Sequence, residues 1–226
     1  MDPEALTQLL LACAVFLATH FVPSTPLRGA LVRALGQWPY TVLYSIVAFA
    51  AIGWMSWAYV RAPVVPLWPG FRLLPAMLMP FAFVLLACGL FARNPTLVGA
   101  EKLMRSPDPA RGIIRITRHP IMWAFVIWAV AHVLARGDLK SAVFFGSFAA
   151  LAGGGMLLMD ARKAKNLGED WQRFAAVTSL IPFGAIASGR NRVGAREIGW
   201  RNPVIGLALY AVLFWLHPVI FGARAY

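Results

Sequence analysis

The sequence has little charge. Only 13% of its 226 residues are Asp, Glu, Lys or Arg, whereas 60% are hydrophobic. A soluble globular domain has about 25% charged and about 45–50% apolar residues. Because so few charged side chains cannot cover a water-exposed globule, the composition argues against a cytosolic enzyme, a secreted module and a disordered chain. It predicts a protein whose solvent is the lipid bilayer.

Cysteine is scarce, and so are signals for nucleic-acid binding. Cys13 and Cys88 are the only cysteines and lie within apolar runs, which gives no support to a disulfide framework or a CxxC metal site. The formal charge is +12, but no basic stripe with interleaved aromatic residues lies outside the apolar runs. Nucleic acid is therefore not expected as a partner. The excess of Lys and Arg fits loops that anchor helices in a membrane.

Six apolar stretches approach the roughly 20 residues that a helix needs to cross a bilayer. They are Ala5–Val22, Tyr40–Val60, Leu73–Phe91, Ile121–Leu134, Ser141–Met159 and Val204–Phe221. The fourth is short for a full crossing, and Pro120 before it suits the first turn of a helix. A seventh apolar segment, Thr178–Ala187, is shorter still and is expected to lie at the interface or to re-enter the membrane. The sequence predicts one all-α domain over residues 1–226, a polytopic bundle of about six transmembrane helices.

The distribution of basic residues predicts the orientation of this bundle. Sixteen of the 21 Lys and Arg residues follow the first, third and fifth predicted helices, and five lie on the opposite side. Loops rich in Lys and Arg stay in the cytoplasm, so both termini are expected on the other side of the membrane. The N-terminus carries Asp2 and Glu4 in place of a basic cluster, so the first apolar stretch is expected to be a retained helix.

Four histidines are the candidates for chemistry, and each lies at or near the end of a predicted helix. The predicted topology places His20 and His119 in the cytoplasmic leaflet, and His132 and His217 in the other. His119 and His132 are about 20 Å apart along one helix, so a bis-histidine metal site must use His20 with His119 or His132 with His217. Two imidazoles facing each other across a bundle suit haem iron. The alternative for each histidine is a neutral imidazole that bonds a carbonyl group.

Other polar residues lie near His119 in the sequence or in the predicted topology. Arg115 and Arg118 precede it and are candidates to orient a cofactor or a phosphate headgroup by pairing with its negative charge. Simple anchoring of the topology explains these two arginines equally well. Asp160 lies at the cytoplasmic end of the fifth predicted helix, where it is expected to be an exposed carboxylate.

Five segments, in the same order along the chain, resemble the NnrU family of bacterial inner-membrane proteins. They are Thr19–Pro23, Gly112–Pro120, Trp128–Leu139, Asn166–Phe183 and Leu216–Gly222. The resemblance implies a multi-pass protein of the bacterial inner membrane with a link to nitrogen-oxide metabolism in denitrifiers. In that membrane the distribution of basic residues predicts periplasmic termini. The family is similar to 15-cis-zeta-carotene isomerase, a membrane enzyme that uses haem b with histidine axial ligands. That similarity implies haem b on His20 and His119, and a lipophilic substrate or a small nitrogen oxide as the partner among membrane lipids.

The stretch from Arg118 to Phe183 also resembles the isoprenylcysteine and phospholipid methyltransferases. The shared features are the Arg-His-Pro element, the segment Leu167–Trp171 and Pro182. The resemblance implies that the Arg-His motif helps to hold S-adenosylmethionine, as it does in those enzymes. Those enzymes carry two acidic residues before the Gly, whereas here Asp160 is followed by Ala161, which puts methyl transfer in doubt. Three functions stay open: a haem-dependent isomerase or redox protein, a methyltransferase, and a non-catalytic membrane factor that supports denitrification.

Overall fold

The computed structural model describes residues 3–97 and 99–223, apart from the side chains of Pro3 and Ala195. In this part of the chain the regular structure is helical, with 3-10 turns at Val22–Ser24 and Glu101–Arg105. The helices are α1 Pro3–Phe21, α2 Pro26–Leu35, α3 Gln37–Arg61, α4 Leu74–Phe91, α5 Ile113–Ile116, α6 Pro120–Arg136, α7 Leu139–Leu167, α8 Glu169–Ala176, α9 Gly184–Ala187, α10 Ala195–Ile198 and α11 Arg201–Phe221. The predicted all-α architecture is confirmed, and each of the six apolar stretches corresponds to one long helix. Arg224, one of the five basic residues on the opposite side, lies outside the described residues.

Five of these helices, α1, α3, α4, α7 and α11, are long and apolar enough to cross a membrane. The sixth, α6, is a shorter apolar helix of 17 residues, as its short apolar stretch predicts. Large apolar side chains on these helices are exposed, for example Phe49 at 77% and Val219 at 82%. Extensive exposed apolar surface marks contact with an apolar phase. The chain is therefore a membrane protein with transmembrane helices.

The chain divides into two compact units. The first consists of Met1–Arg72 and Ala129–Gly155, and the second of Leu73–Trp128 and Met156–Tyr226. In the first unit α1 packs along α3, and the buried core includes side chains of both helices and of α7. These core residues are Leu9, Ala12, Cys13, Phe16, Ala51, Met55, Ala58, Ala62 and Phe144. The backbone N–H of Leu67 donates to the carbonyl of Gly137 at 2.7 Å, which ties the segment after α3 to the turn between α6 and α7.

In the second unit α4 and α11 lie so close together that a glycine is required between them. A Cβ atom on Gly206 would stand 2.6 Å from the backbone oxygen of Phe83.

A separate hydrogen bond joins α4 and α11 one turn before Pro80. Proline has no N–H, so the carbonyl of Ala76 loses its partner within α4. The hydroxyl of Tyr210 on α11 donates to this carbonyl at 3.0 Å.

We expect Tyr210→Phe to lower the free energy of unfolding by about 0.6–2 kcal/mol, because it leaves the Ala76 carbonyl without a partner in an apolar environment. The measurement is reversible unfolding in mixed micelles. The control is the same substitution in a Pro80→Ala background, where the restored N–H bonds the Ala76 carbonyl. An equal loss in both backgrounds would contradict this explanation.

Candidate functional site

His20 lies in the last turn of α1, within the first unit. Its Nδ1 atom donates to the carbonyl of Phe16 at 2.8 Å. Because a carbonyl only accepts, Nδ1 carries the proton and Nε2 keeps a free lone pair. Among the described residues, Nε2 of His20 has no hydrogen-bond partner. Metal-binding imidazoles are commonly oriented in this way, with one nitrogen bonded to the protein and the other open.

Two aromatic rings adjoin His20, and a third adjoins one of them; we call Phe16, His20, Tyr40 and Tyr44 the His20 aromatic cluster. The Phe16 ring centre is 4.3 Å from that of His20, and the rings of His20 and Tyr44 meet edge to face with their centres 6.2 Å apart. Tyr40 stacks on Tyr44 with an interplanar angle of 19°. The sequence analysis missed both tyrosines. Their spacing of four residues at the start of the second predicted helix was the signal, because such residues share one helix face.

His119 lies in the second unit, between α5 and α6, and is 2% exposed. Its Nε2 atom donates to Oδ1 of Asp160 at 2.6 Å, and Oδ2 of Asp160 lies 3.5 Å from Nη1 of Arg118. One carboxylate therefore partners the arginine and the histidine of the Arg-His-Pro element. Because this carboxylate fixes the proton on Nε2, Nδ1 is the nitrogen with the lone pair in the neutral ring.

The expectation that Asp160 is an exposed carboxylate is wrong. Its side chain is only 20% exposed and its two oxygens both have cationic or imidazole partners. The physical reason is that α7 continues to Leu167, so Asp160 lies inside the helix and not at its end. It is the one acidic residue of α7 and shares the predicted leaflet of His119. Those two features could have predicted from the sequence that Asp160 pairs with His119.

The two arginines proposed to orient an anionic group already hold carboxylates of the protein. Arg115 lies 2.9 Å from Asp108 and 2.7 Å from Glu197, and its hydrogen bond holds the pKa of the Glu197 carboxyl below its usual value. Arg118, besides its contact with Asp160, lies 5.5 Å from the ring centre of Trp171. Burial lowers the pKa of the Arg118 guanidinium, although the charge of Asp160 opposes this shift.

The short apolar segment Thr178–Ala187 folds onto the Arg-His-Pro element within the second unit. The carbonyl of Leu180 accepts hydrogen bonds from the Thr117 hydroxyl at 2.9 Å and the Trp123 indole at 2.8 Å. The backbone N–H of Arg118 donates to the Ser179 carbonyl at 2.9 Å. These bonds fix the backbone on both sides of His119.

The two remaining histidines lie in different units. His132, in the first unit, places its ring 5.0 Å from that of Phe145. His217, in the second, donates from Nδ1 to the Ala223 carbonyl at 2.7 Å, just beyond the end of α11. No cluster of three or more His, Cys, Asp or Glu residues suited to a metal occurs in the described parts of the chain. Both proposed pairs, His20 with His119 and His132 with His217, join residues of different units and stay predictions.

A comparison with known families decides the relationship of this chain. The sequence profile of the NnrU family, described as NnrU protein, matches residues 8–225. The chain belongs to the NnrU family. The resemblance predicted from five segments is thereby confirmed over nearly the whole length.

This NnrU protein is also similar to two plant enzymes. One is the chloroplastic 15-cis-zeta-carotene isomerase of Arabidopsis thaliana, 36% identical over 116 residues, or 50% of this chain. The other is the enzyme of the same name from Zea mays, 30% identical over 121 residues, or 48% of this chain. Each match covers 31% of the plant enzyme, so the chain spans about a third of the length of these curated relatives. No solved structure matches this NnrU protein significantly.

The segments of this NnrU protein that resemble membrane methyltransferases come together in the second unit. Trp171, 5% exposed, lies against Arg118, while Asp160 bonds His119. A single carboxylate at this place is joined by hydrogen bond and charge to the Arg-His-Pro element. The arrangement holds a buried imidazole whose orientation is fixed by Asp160.

Proposed function

We propose that this protein isomerises a carbon–carbon double bond of a long apolar polyene within a bacterial inner membrane. The observation that carries this proposal is the 36% identity over 116 residues to an enzyme named 15-cis-zeta-carotene isomerase. The exposed apolar side chains of the transmembrane helices support it, because a polyene dissolves in the same lipid phase that these side chains contact. The substrate would therefore approach from the membrane and not from water.

We propose haem b as the cofactor, with His20 as one axial ligand. The bond from Nδ1 of His20 to the Phe16 carbonyl supports this role, since it leaves the lone pair of Nε2 free. The rings of Phe16 and Tyr44 pack against this side chain and restrict its rotation. When bound, haem b would supply an iron centre that interacts with the π electrons of a double bond and lowers the barrier to rotation.

The resemblance to 15-cis-zeta-carotene isomerase implies His119 as the other histidine that would hold the haem, and His119 stays in the proposal. Its carboxylate partner is of the kind that orients metal-binding imidazoles and raises their basicity. The nitrogen available for a metal in this geometry is Nδ1. The excess of basic residues on one side supports a topology with both termini in the periplasm.

The decisive experiment uses the full chain, purified in detergent and reconstituted in liposomes with 15-cis-zeta-carotene. We expect a Soret band and conversion of the cis isomer, measured by chromatography. His20→Ala should remove most of the Soret absorbance and lower the isomerisation rate about a hundredfold, because the iron loses a ligand. Ser45→Ala, which removes an exposed hydroxyl from α3, is the control and should change neither quantity.

The same preparation distinguishes the proposed isomerase from a methyltransferase and from a membrane factor that supports nitrogen-oxide metabolism. A colourless protein that binds S-adenosylmethionine saturably would overturn the proposal in favour of a methyltransferase. A Soret band that shifts with nitric oxide, without any polyene conversion, would favour a role in nitrogen-oxide metabolism. A preparation with neither haem nor activity would leave a non-catalytic membrane factor. A full Soret band in His119→Ala would remove His119 as the second ligand.

A further inference from the structure

Tyr40 is an unexplained feature of the first unit. It is 6% exposed, and its hydroxyl is buried without a hydrogen-bond partner among the described residues. Buried polar groups nearly always have a partner, so an exception indicates that one is missing. The ring of Tyr40 stacks on Tyr44, which in turn packs edge to face with His20. The hydroxyl therefore belongs to the same cluster as the free Nε2 of His20.

A cation accompanies this hydroxyl. The guanidinium carbon of Arg28, on α2, lies 5.7 Å from the centre of the Tyr40 ring. Among the described residues, the Arg28 side chain donates a hydrogen bond to the neutral side chain of Gln37, at 3.3 Å. Within residues 3–97 and 99–223, no carboxylate forms an ion pair with Arg28, unlike Arg115 and Arg118. The described part of the first unit thus holds a buried hydroxyl donor and a cation without a carboxylate partner, both linked to His20 through the ring of Tyr44.

We propose that Tyr40 and Arg28 bind a carboxylate of the group that His20 holds, namely a propionate of haem b. This inference rests on the proposed function. A phenol hydroxyl donates one hydrogen bond, and a guanidinium donates two parallel ones to the same planar carboxylate. Arg28 and Tyr40 thus share the orienting role that the sequence predicts for Arg115 and Arg118. Arg115 already pairs with two carboxylates, whereas Arg118 contacts Asp160 through Nη1 and keeps a buried Nε without a partner among the described residues.

The chemistry of the donors does not by itself separate a propionate from another anion. A lipid phosphate would satisfy the same hydroxyl and the same guanidinium. The two sources differ in one respect, because only the propionate is part of the molecule that His20 binds. Replacing both carboxylates by methyl esters removes the negative charge from the haem and leaves lipid phosphates unchanged.

The test measures the rate at which haem leaves the full-length protein for excess apomyoglobin in detergent. We expect Tyr40→Phe and Arg28→Gln each to release haem about tenfold faster or more, because each loses a charge-assisted hydrogen bond. With haem dimethyl ester, wild type and both variants should release the ligand at equal rates. Arg33→Gln, which removes an exposed charge from the same helix, should behave as wild type with both ligands.

Each other outcome has one meaning. If wild type binds no haem, the proposed cofactor fails and this inference fails with it. If wild type binds haem and both variants release it at the wild-type rate, this inference alone is overturned. A third outcome is that the variants also release haem dimethyl ester faster than wild type, by the same factor as for haem. The two residues would then stabilise the site without contacting a carboxylate, and this inference would be overturned.

Discussion

Replacing Asp160 with alanine is expected to lower the free energy of unfolding by about 1.5–3 kcal/mol. The loss is large because one carboxylate serves two partners, Nε2 of His119 at 2.6 Å and the guanidinium of Arg118 at 3.5 Å. Hydrogen bonds to charged groups contribute about 1.5–3 kcal/mol each. His119 is 2% exposed, so water cannot replace the lost acceptor without a rearrangement of the helix ends.

Asp160→Asn separates the two contributions. The amide oxygen still accepts from His119, but the charge that partners Arg118 is gone, so we expect a smaller loss than in Asp160→Ala. The control is Asp170→Asn, whose arginine partners Arg105 and Arg173 are 70% and 62% exposed and readily solvated. Its stability should hardly change. Thermal unfolding in detergent measures all three variants, and a stability of Asp160→Ala equal to wild type would show that the bond to His119 is dispensable.

Gly206→Ala is expected to destabilise the second unit by about 1–3 kcal/mol, although it adds a single methyl group. The new Cβ would lie 2.6 Å from the carbonyl oxygen of Phe83 and 2.8 Å from the Cα of Val84. Both are backbone atoms of α4, so no side-chain rotation relieves the clash and the helices must move apart. Small residues at such positions are what allows transmembrane helices to approach closely.

Gly53→Ala is the matched control for this substitution. Gly53 also lies inside a transmembrane helix, α3, but a Cβ there would meet no atom within 4 Å. Alanine has the better helix propensity, so we expect stability to be unchanged or raised by about 0.5–1 kcal/mol. Detergent-induced unfolding measures both variants. If Gly206→Ala and Gly53→Ala behave alike, the close approach of α4 and α11 does not contribute to stability.

The helices of this protein were predictable because their signal is local. A run such as Val204–Phe221 is apolar over its whole length, and a bilayer permits only a helix there, since every backbone group must bond within the segment. Pro120 marked the start of α6 for a similar reason, because proline suits the first helical turn. The family relationship was predictable too, since its five segments are contiguous stretches of sequence.

The surroundings of each candidate histidine were not predictable. Asp160 is 41 residues from His119 in the chain, and its distance from that ring depends on how far α7 extends and which way it faces. Tyr40 and Tyr44 are separated from His20 by α2, so their stacking depends on the path of that connection. Arg115 and Arg118 carried the right charge for an anionic ligand, but two of their carboxylate partners, Glu197 and Asp160, come from distant parts of the sequence.

The sequence by itself determined that this protein is an all-α membrane protein of the NnrU family, since composition and apolar run length are properties of single segments. Only the tertiary structure decided which polar groups are already paired and which are open. In the folded protein His119 is hydrogen-bonded to Asp160, whereas Nε2 of His20 and the hydroxyl of Tyr40 have no partner among the described residues. The physical reason is that hydrogen bonds act over about 3 Å, and distances of that size between distant residues exist only after the helices have packed.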